Sequence, residues 1–301
     1  MASVGRRCIV EVRWGKLAGT KVAIEPGRSL RVGRTDRADL ALPHDGKMSS
    51  VHFTLAWDGH RCTLRDAGSL SGTSLGGDPV TEADVPHGAW IQAGDTDFMV
   101  YFEAHTPPHD DDDEPADAES EYEESATTHT PEQLARRTAA AAALETLRAH
   151  AAREPLYAVL DAARDDRILE LLREHVEPHR SLYEGAQGEP LEEVAPYLVG
   201  PLAPDSALLD KLVLEGWGRR WGIYCTSAEP FREVRRHLRR FLMVTLEETG
   251  ERVYFRFVDP DVLVPFMEVA TDEQKASLTT LLSGIAAEHH GDNLGVWHVH
   301  P

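Results

Sequence analysis

The chain is short of cysteine, of basic charge and of long apolar runs, and each shortage removes a class of protein. Only three cysteines occur in 301 residues, Cys8, Cys62 and Cys225, odd in number and far apart. Such spacing builds no disulfide framework and no CxxC or Cys/His zinc pattern, and it suits a reducing compartment. Behind Arg6-Arg7 there is no apolar stretch of the kind a secretory signal needs. No uncharged apolar run nears the ~18–20 residues that span a bilayer. A cytoplasmic location is therefore expected. Lysine and arginine number 31 against 51 aspartates and glutamates, for a net charge of −20. That balance excludes a general nucleic-acid or anionic-membrane binder, because both partners are polyanions and would be repelled.

The missing basic charge is concentrated in one place. Residues 106–130 hold 10 acidic side chains and no Lys or Arg, whereas 1–105 carry a net −1 and 131–301 a net −9. At about 150 residues per domain the length suits two domains. The charge pattern suggests how they are joined: two modest domains on an acidic string. The expected fold class is multidomain, with an all-β sandwich over 8–103, an acidic linker over 104–130, a lead-in helix over 131–153 and a mixed α/β domain over 154–301. A stretch of low hydrophobicity and like charge cannot repay its ordering entropy. As a flexible coil, 25 such residues span on the order of 25–30 Å.

Within 8–103, short β-rich runs recur at Cys8–Arg13, Lys21–Ile24, Leu30–Val32, His52–Ala56, Cys62–Arg65, Trp90–Gln92 and Phe98–Phe102, separated by Gly, Pro and Asp. That is the rhythm of a sandwich. Beyond the acidic stretch, Thr130-Pro131-Glu132-Gln133 has the pattern of a capping box with Pro at the first helical position. From 155 the pattern alternates. Strands are expected at Pro155–Leu160, Tyr197–Val199, Trp221–Cys225 and Leu294–Val299, with a hairpin of Phe241–Leu246 and Val253–Phe257 around Glu248-Thr249-Gly250. Helices are expected at Arg164–Val176, Leu208–Leu214, Glu229–Leu238 and Asp272–Glu288.

In the first domain, Gly33-Arg34 closes a strand and opens a polar loop. Ser49-Ser50-Val51-His52 then leads into the next strand, and Asp66-Ala67-Gly68-Ser69-Leu70-Ser71-Gly72-Thr73 forms a later turn-rich loop. In order and spacing these resemble the forkhead-associated (FHA) domain, over about residues 8–103. The resemblance implies a sandwich that binds phosphothreonine across the loops at one end. Such a ligand carries about −1.5 to −2 charges and three acceptor oxygens. Arg34 would supply a planar fork of donors and Ser49 a short hydroxyl. Lys47 would add a charge, and Thr73 would line the site. Gly33, His52 and Gly72 would support it, His52 by bracing the loop and not by touching phosphate. One departure matters: Ser71 stands where most members have an Asn that grips the peptide backbone, so part of that grip is expected to be lost. A second departure is Gly76-Gly77 in place of Asn-Gly. Thr127, Thr128 and Thr130 are candidate phosphate acceptors within the chain itself, although Thr130 also reads simply as a helix cap.

The second domain contains Leu156-Tyr157-Ala158-Val159-Leu160-Asp161, Leu182-Tyr183-Glu184-Gly185 and Ala195-Pro196-Tyr197-Leu198-Val199-Gly200-Pro201-Leu202. These are followed by Trp221-Gly222-Ile223-Tyr224, His237-Leu238-Arg239-Arg240-Phe241 and the run Val253–Leu263 that ends in Asp259-Pro260-Asp261. In aggregate the series is similar to the adaptor-chaperone family of bacterial type VI secretion, long known only as a domain of unknown function. The resemblance implies an adaptor that holds a toxic effector and helps load it onto the spike.

No catalytic constellation is read from the residues. Asp259-Pro260-Asp261 reads as a strand-ending turn. Glu288-His289-His290 and His298/His300 read as exposed polar residues, since neighbouring helical side chains point about 100° apart. Ser227 lacks the Gly-x-Ser-x-Gly setting of a hydrolase elbow. Arg232, Arg235, Arg236, Arg239 and Arg240 fall on one helical face. They read either as a solvated face or as a docking surface for the effector or the spike.

The expected function is thus a non-enzymatic adaptor without cofactor or metal. Its partners would be a type VI effector, a spike protein and a phosphothreonine-containing protein, with neither nucleic acid nor membrane. The alternative is a phospho-dependent regulatory scaffold without toxin cargo.

Overall fold

The computed structural model describes residues 6–108, 130–183, 189–245, 249–289 and 293–298. The chain divides into two compact units: residues up to Pro107 together with Glu170–Pro178, and the remainder. Most of residues 104–130, including Thr127 and Thr128, lies outside the described residues.

Among the described residues the first unit holds eleven strands: β1 (Cys8–Trp14), β2 (Lys21–Ile24), β3 (Arg28–Gly33), β4 (Leu40–Ala41), β5 (Phe53–Trp57), β6 (Cys62–Asp66), β7 (Thr73–Leu75), β8 (Asp78–Val80), β9 (Glu82–Val85), β10 (Ala89–Ala93) and β11 (Thr96–Phe102). They form two sheets, β2-β1-β11-β10-β7-β8 and β4-β3-β5-β6-β9. Alternation turns Phe53, Leu55 and Trp57 of β5 inward, where they meet Val32, Leu64, Ile91, Phe98 and Val100 in one core. The rings of Phe53 and Phe98 pack edge to face at 5.4 Å between centroids. Each such side chain removed from water stabilises the sandwich by about 1.5–3 kcal/mol. Cys8 and Cys62 are both free and buried, with sulfurs 3.8 Å apart. The short strands β4, β7, β8 and β9 have no counterpart in the sequence reading, because two to four residues of mixed polarity carry no period. Gly76 and Gly77 explain one of them. Their φ values of 61° and 95° make the two-residue turn that pairs Leu75 with Asp78, a conformation that favours glycine at both positions.

The second unit opens with α1 (Pro131–Ala151). Thr130 caps it as the spacing predicts: its hydroxyl accepts from Gln133 N, and the Gln133 side chain accepts from Thr130 N. Ala140, Ala143, Leu144 and Leu147 form the buried face. Then follow β12 (Leu156–Asp161), α2 (Asp166–Arg173), β13 (His179–Ser181), β14 (Pro196–Leu202), α3 (Ala207–Gly216), β15 (Gly222–Thr226), α4 (Phe231–Arg239), β16 (Met243–Thr245), β17 (Arg252–Tyr254), α5 (Pro260–Val269), α6 (Asp272–Thr279), β18 (Gly284–His289) and β19 (Asn293–His298). The division between units falls within α2, after Leu169. Six strands form one sheet in the order β13-β14-β12-β15-β18-β19, antiparallel throughout, and β16–β17 is a separate hairpin. Arg148 of α1 bonds Asp210 of α3 at 2.8 Å, so α1 packs on this unit and is not a free spacer.

Two readings of this region are corrected. The helix expected over Asp272–Glu288 ends at Thr279, and Gly284–His289 is a strand between β15 and β19. Thr279 and Thr280 turn their hydroxyls back to the carbonyls of Lys275 and Ala276, and pairing with β15 overrides the helical propensity of Ala286-Ala287. The Asp259-Pro260-Asp261 turn starts a helix instead of ending a strand. Asp259 caps α5 by accepting from Asp261 N, and Pro260 occupies the first turn.

Candidate functional site

The loops that follow β3 and β4, together with the β6–β7 loop, meet at one end of the sandwich. β3 ends at Gly33, where an added Cβ would lie 2.4 Å from the carbonyl oxygen of Ser50. Only glycine lets the strand run this close beneath the Ser49–Val51 backbone. The next residue, Arg34, donates its backbone N–H to the carbonyl of Ser49 at 2.9 Å. Its side chain is exposed, and Nε donates to the carbonyl of Met48 at 3.2 Å. Among the described residues no carboxylate pairs with it, so the terminal nitrogens of the fork face solvent beside Ser49.

Ser49 is held from both sides. Its backbone N–H donates to His52 Nδ1 at 3.1 Å, and its hydroxyl oxygen accepts from Leu70 N at 3.1 Å. The hydroxyl proton is left to donate outward. His52 is fully buried, and its Nε2 lies 2.9 Å from the carbonyl of Gly72. Since Nδ1 accepts, the hydrogen-bond network assigns the proton to Nε2, which donates to Gly72. One neutral ring thus bolts the loop after β4 to the β6–β7 loop. Gly72 itself sits at φ 79°, in the left-handed region.

Asp66 organises the second loop. Its carboxylate accepts from Gly68 N and Ser69 N at 2.8 Å, from the Ser69 hydroxyl at 2.6 Å and from the Thr73 hydroxyl at 2.7 Å. Burial pushes this carboxyl up, but the hydrogen bonds from Ser69, Thr73 and the backbone outweigh it and hold it below the ordinary value. Asp45 does the same for the loop after β4, accepting from Lys47 N, Met48 N, Asp95 N and the Thr96 hydroxyl. Neither aspartate stands among the site residues read from sequence. The Asp-x-x-Ser spacing could have flagged Asp66, whereas Asp45 finds two of its donors on the distant β10–β11 turn.

The remaining expected residues separate by orientation. Lys47 is exposed, with its ammonium 2.6 Å from Asp95, so an arriving anion would compete with that carboxylate. Ser71 turns its hydroxyl back to the carbonyl of Lys47 at 3.1 Å. Thr73 is buried, with its hydroxyl committed to Asp66, and it supports the loop from behind instead of lining the site.

In the second unit the arginine face of α4 splits in two. Arg235 donates to the carbonyls of Ser181 and Tyr183, and Arg239 to that of Leu182, so this pair ties the helix to the chain after β13. Arg232, Arg236 and Arg240 are exposed on the other side, with Arg236 paired to Glu233 and Arg240 resting on His237 Nδ1. The chain that follows α4 contributes to a cleft of about 690 Å³, walled by Phe241, Val253, Tyr254, Phe255 and Phe266, with Gln274 and Ser277 as polar lining. Ser227 is fully buried and its hydroxyl donates to the carbonyl of Leu281. Glu288 and His289 lie on β18, a strand and not a helix, where His289 faces Glu268 at 3.5 Å. His290 and His300 fall outside the described residues. Among the described residues no three His, Cys, Asp or Glu side chains are grouped to hold a metal ion, and no helix is long and apolar enough to cross a membrane.

Two family models match the chain: the FHA domain over residues 30–94 and the domain of unknown function DUF4123 over residues 156–277. Solved structures similar to the first region include an FHA domain of an Arabidopsis thaliana hypothetical protein (29% identity, 33% of this chain and 87% of that one, TM-score 0.30). Another is an FHA domain from Mycobacterium tuberculosis (26% identity, 32% and 98%, TM-score 0.27). A third is an FHA domain from work on phosphothreonine-dependent FHA interactions (27% identity, 32% and 95%, TM-score 0.29). Comparison with curated proteins returns no match. The chain carries an FHA domain followed by a DUF4123 domain.

Proposed function

We propose that this chain is a cytoplasmic, non-enzymatic adaptor with two protein-binding sites, one of which reads phosphothreonine. The observation that carries the reading is the exposed Arg34 side chain, unpaired by any described carboxylate and bonded through Nε and its backbone N–H to the carbonyls of Met48 and Ser49, on loops locked by His52 and Asp66. A dianionic phosphate there would take charge-assisted hydrogen bonds from Arg34 and one from Ser49, with Lys47 drawn from Asp95 as a second cation. Preorganised loops lower the ordering entropy that such binding must overcome.

The DUF4123 domain would hold a type VI secretion effector and present it to the spike. Its resemblance to the effector-loading chaperones supports this, as do the aromatic cleft lined by Phe241, Tyr254, Phe255 and Phe266 and the exposed arginines of α4. Joining the two sites in one chain would raise the effective concentration of one partner beside the other. The test is affinity purification with the full chain and with Arg34→Ala, with identification of bound proteins and their phosphosites. A phosphothreonine protein lost from the variant, together with an effector retained by both, is expected. Equal recovery of every phosphoprotein by the two would remove the first half of the proposal, and absence of any effector or spike protein the second.

A further inference from the structure

Arg232, Arg236 and Arg240 lie four residues apart on the exposed side of α4 and its helical cap. At about 1.5 Å per residue they form a row of cations roughly 6 Å apart and 12 Å long. The row is held in register from behind: Val234, His237 and Leu238 are buried, and Arg235 and Arg239 are tied to the carbonyls of Ser181, Tyr183 and Leu182. In front it is open. Among the described residues no carboxylate pairs with Arg232 or Arg240, and the Arg236 side chain is 70% exposed even with Glu233 beside it. Residues 131–301 carry a net −9, so the row is a local reversal of sign.

The same chain carries its complement. All 10 acids of residues 106–130 fall between Asp110 and Glu124, and two runs set carboxylates at alternate positions: Asp110, Asp112 and Glu114, then Glu119, Glu121 and Glu123. In extended chain alternate side chains share a face about 6.5–7 Å apart, close to the spacing of the arginine row. The tether is long enough. From Glu119 to Thr130, the cap of α1, extended chain reaches up to roughly 36–40 Å, about the breadth of a domain of this size. We infer that the acidic segment 110–124 is an intramolecular ligand of the row Arg232, Arg236 and Arg240, which an acidic partner of α4 has to displace. Tethering gives the segment an effective concentration in the millimolar range, so exposed ion pairs that are individually weak suffice in cis. This occupancy does not depend on whether the partner is an effector.

The test is a fluorescein-labelled peptide of residues 110–124, titrated by anisotropy at low salt into four full-length proteins. They are the parent; a chain whose 10 acids are neutralised by Asp→Asn and Glu→Gln; that chain with Arg232→Gln, Arg236→Gln and Arg240→Gln; and that chain with Arg34→Ala instead. The neutralised chain is expected to bind the peptide, and to bind it less as salt rises. The parent should bind on the order of tenfold more weakly, because its own segment competes. The three Arg→Gln changes should abolish binding, and Arg34→Ala should leave it unchanged. No binding by the neutralised chain, or equal binding by the parent, overturns the inference, and this comparison needs no arginine variant. Binding that survives the three Arg→Gln changes also overturns it, and its loss in Arg34→Ala would assign the segment to the sandwich.

Discussion

Replacing Arg34 by alanine isolates the cation at the centre of the proposed phosphothreonine site. The side chain is exposed and its sole described bond is Nε to the carbonyl of Met48, which solvent can replace. Folding stability should therefore change by less than about 0.5 kcal/mol, a shift in melting temperature within about 2 °C. Binding should change far more. A hydrogen bond between charged groups is worth about 1.5–3 kcal/mol, so losing one lowers affinity roughly 10- to 150-fold, and losing both terminal nitrogens lowers it further. Arg34→Lys keeps the charge but not the fork, and should fall between the two. The second ionisation of the phosphate lies near pH ~6. Below it the ligand carries less charge, so parent affinity should weaken from pH 7.5 to 5.5 while the residual affinity of Arg34→Ala weakens less. Fluorescence anisotropy with one phosphothreonine peptide and thermal melts of the three proteins read all of this. An affinity for Arg34→Ala within twofold of the parent would refute the reasoning. So would a melting temperature several degrees lower, because the side chain would then be structural.

Four further outcomes follow from the geometry of the two units. His52→Ala removes the bolt between the two loops and leaves the Ser49 N–H and the Gly72 carbonyl without their partner; stability should fall by about 1–3 kcal/mol, and phosphopeptide binding should fall with it, measured by melt and anisotropy together. Asp66 has its folded value below the unfolded one, so its contribution is present above the ordinary carboxylate range and is lost as pH falls through the folded value. Acid titration of the parent should show that loss and Asp66→Asn should be less stable at pH 7 but flatter below pH ~4, an equal slope for both being the contrary result. In the second unit, Arg235→Ala should lower stability, since the carbonyls of Ser181 and Tyr183 lose their donor. Glutamate at positions 232, 236 and 240 should instead leave the melt unchanged and weaken salt-sensitive partner binding. Loss of binding in Arg235→Ala at unchanged stability would invert that assignment.

Each site is built as an exposed charge on a locked frame. At the sandwich end, Asp45, His52 and Asp66 take up the backbone donors of two loops, and the group that would meet a ligand is the one left out of those bonds. On α4 the division runs along the helix, with Arg235 and Arg239 used for structure and Arg232, Arg236 and Arg240 turned outward. A stripe of five like charges therefore overstates the surface open to a partner by two.

What sequence alone determined here is what depends on near neighbours and fixed order. The Thr130–Gln133 capping box, the strand-closing Gly33-Arg34 and the Ser49…His52 spacing are of this kind, since their partners lie within a few residues or their order along the chain carries the signal. The run of acidic charge over 106–130 is legible for the same reason. Tertiary structure alone decided which polar groups are spent. Thr73 faces inward because Asp66 takes its hydroxyl, and Ser71 turns away because the Lys47 carbonyl lies above it. It also made a strand of 284–289, where Ala-rich helical propensity yields to pairing with β15 some 60 residues earlier. Hydrogen bonds across such distances leave no period in the chain, so the free energy that fixes them becomes visible only when the fold brings donor and acceptor together.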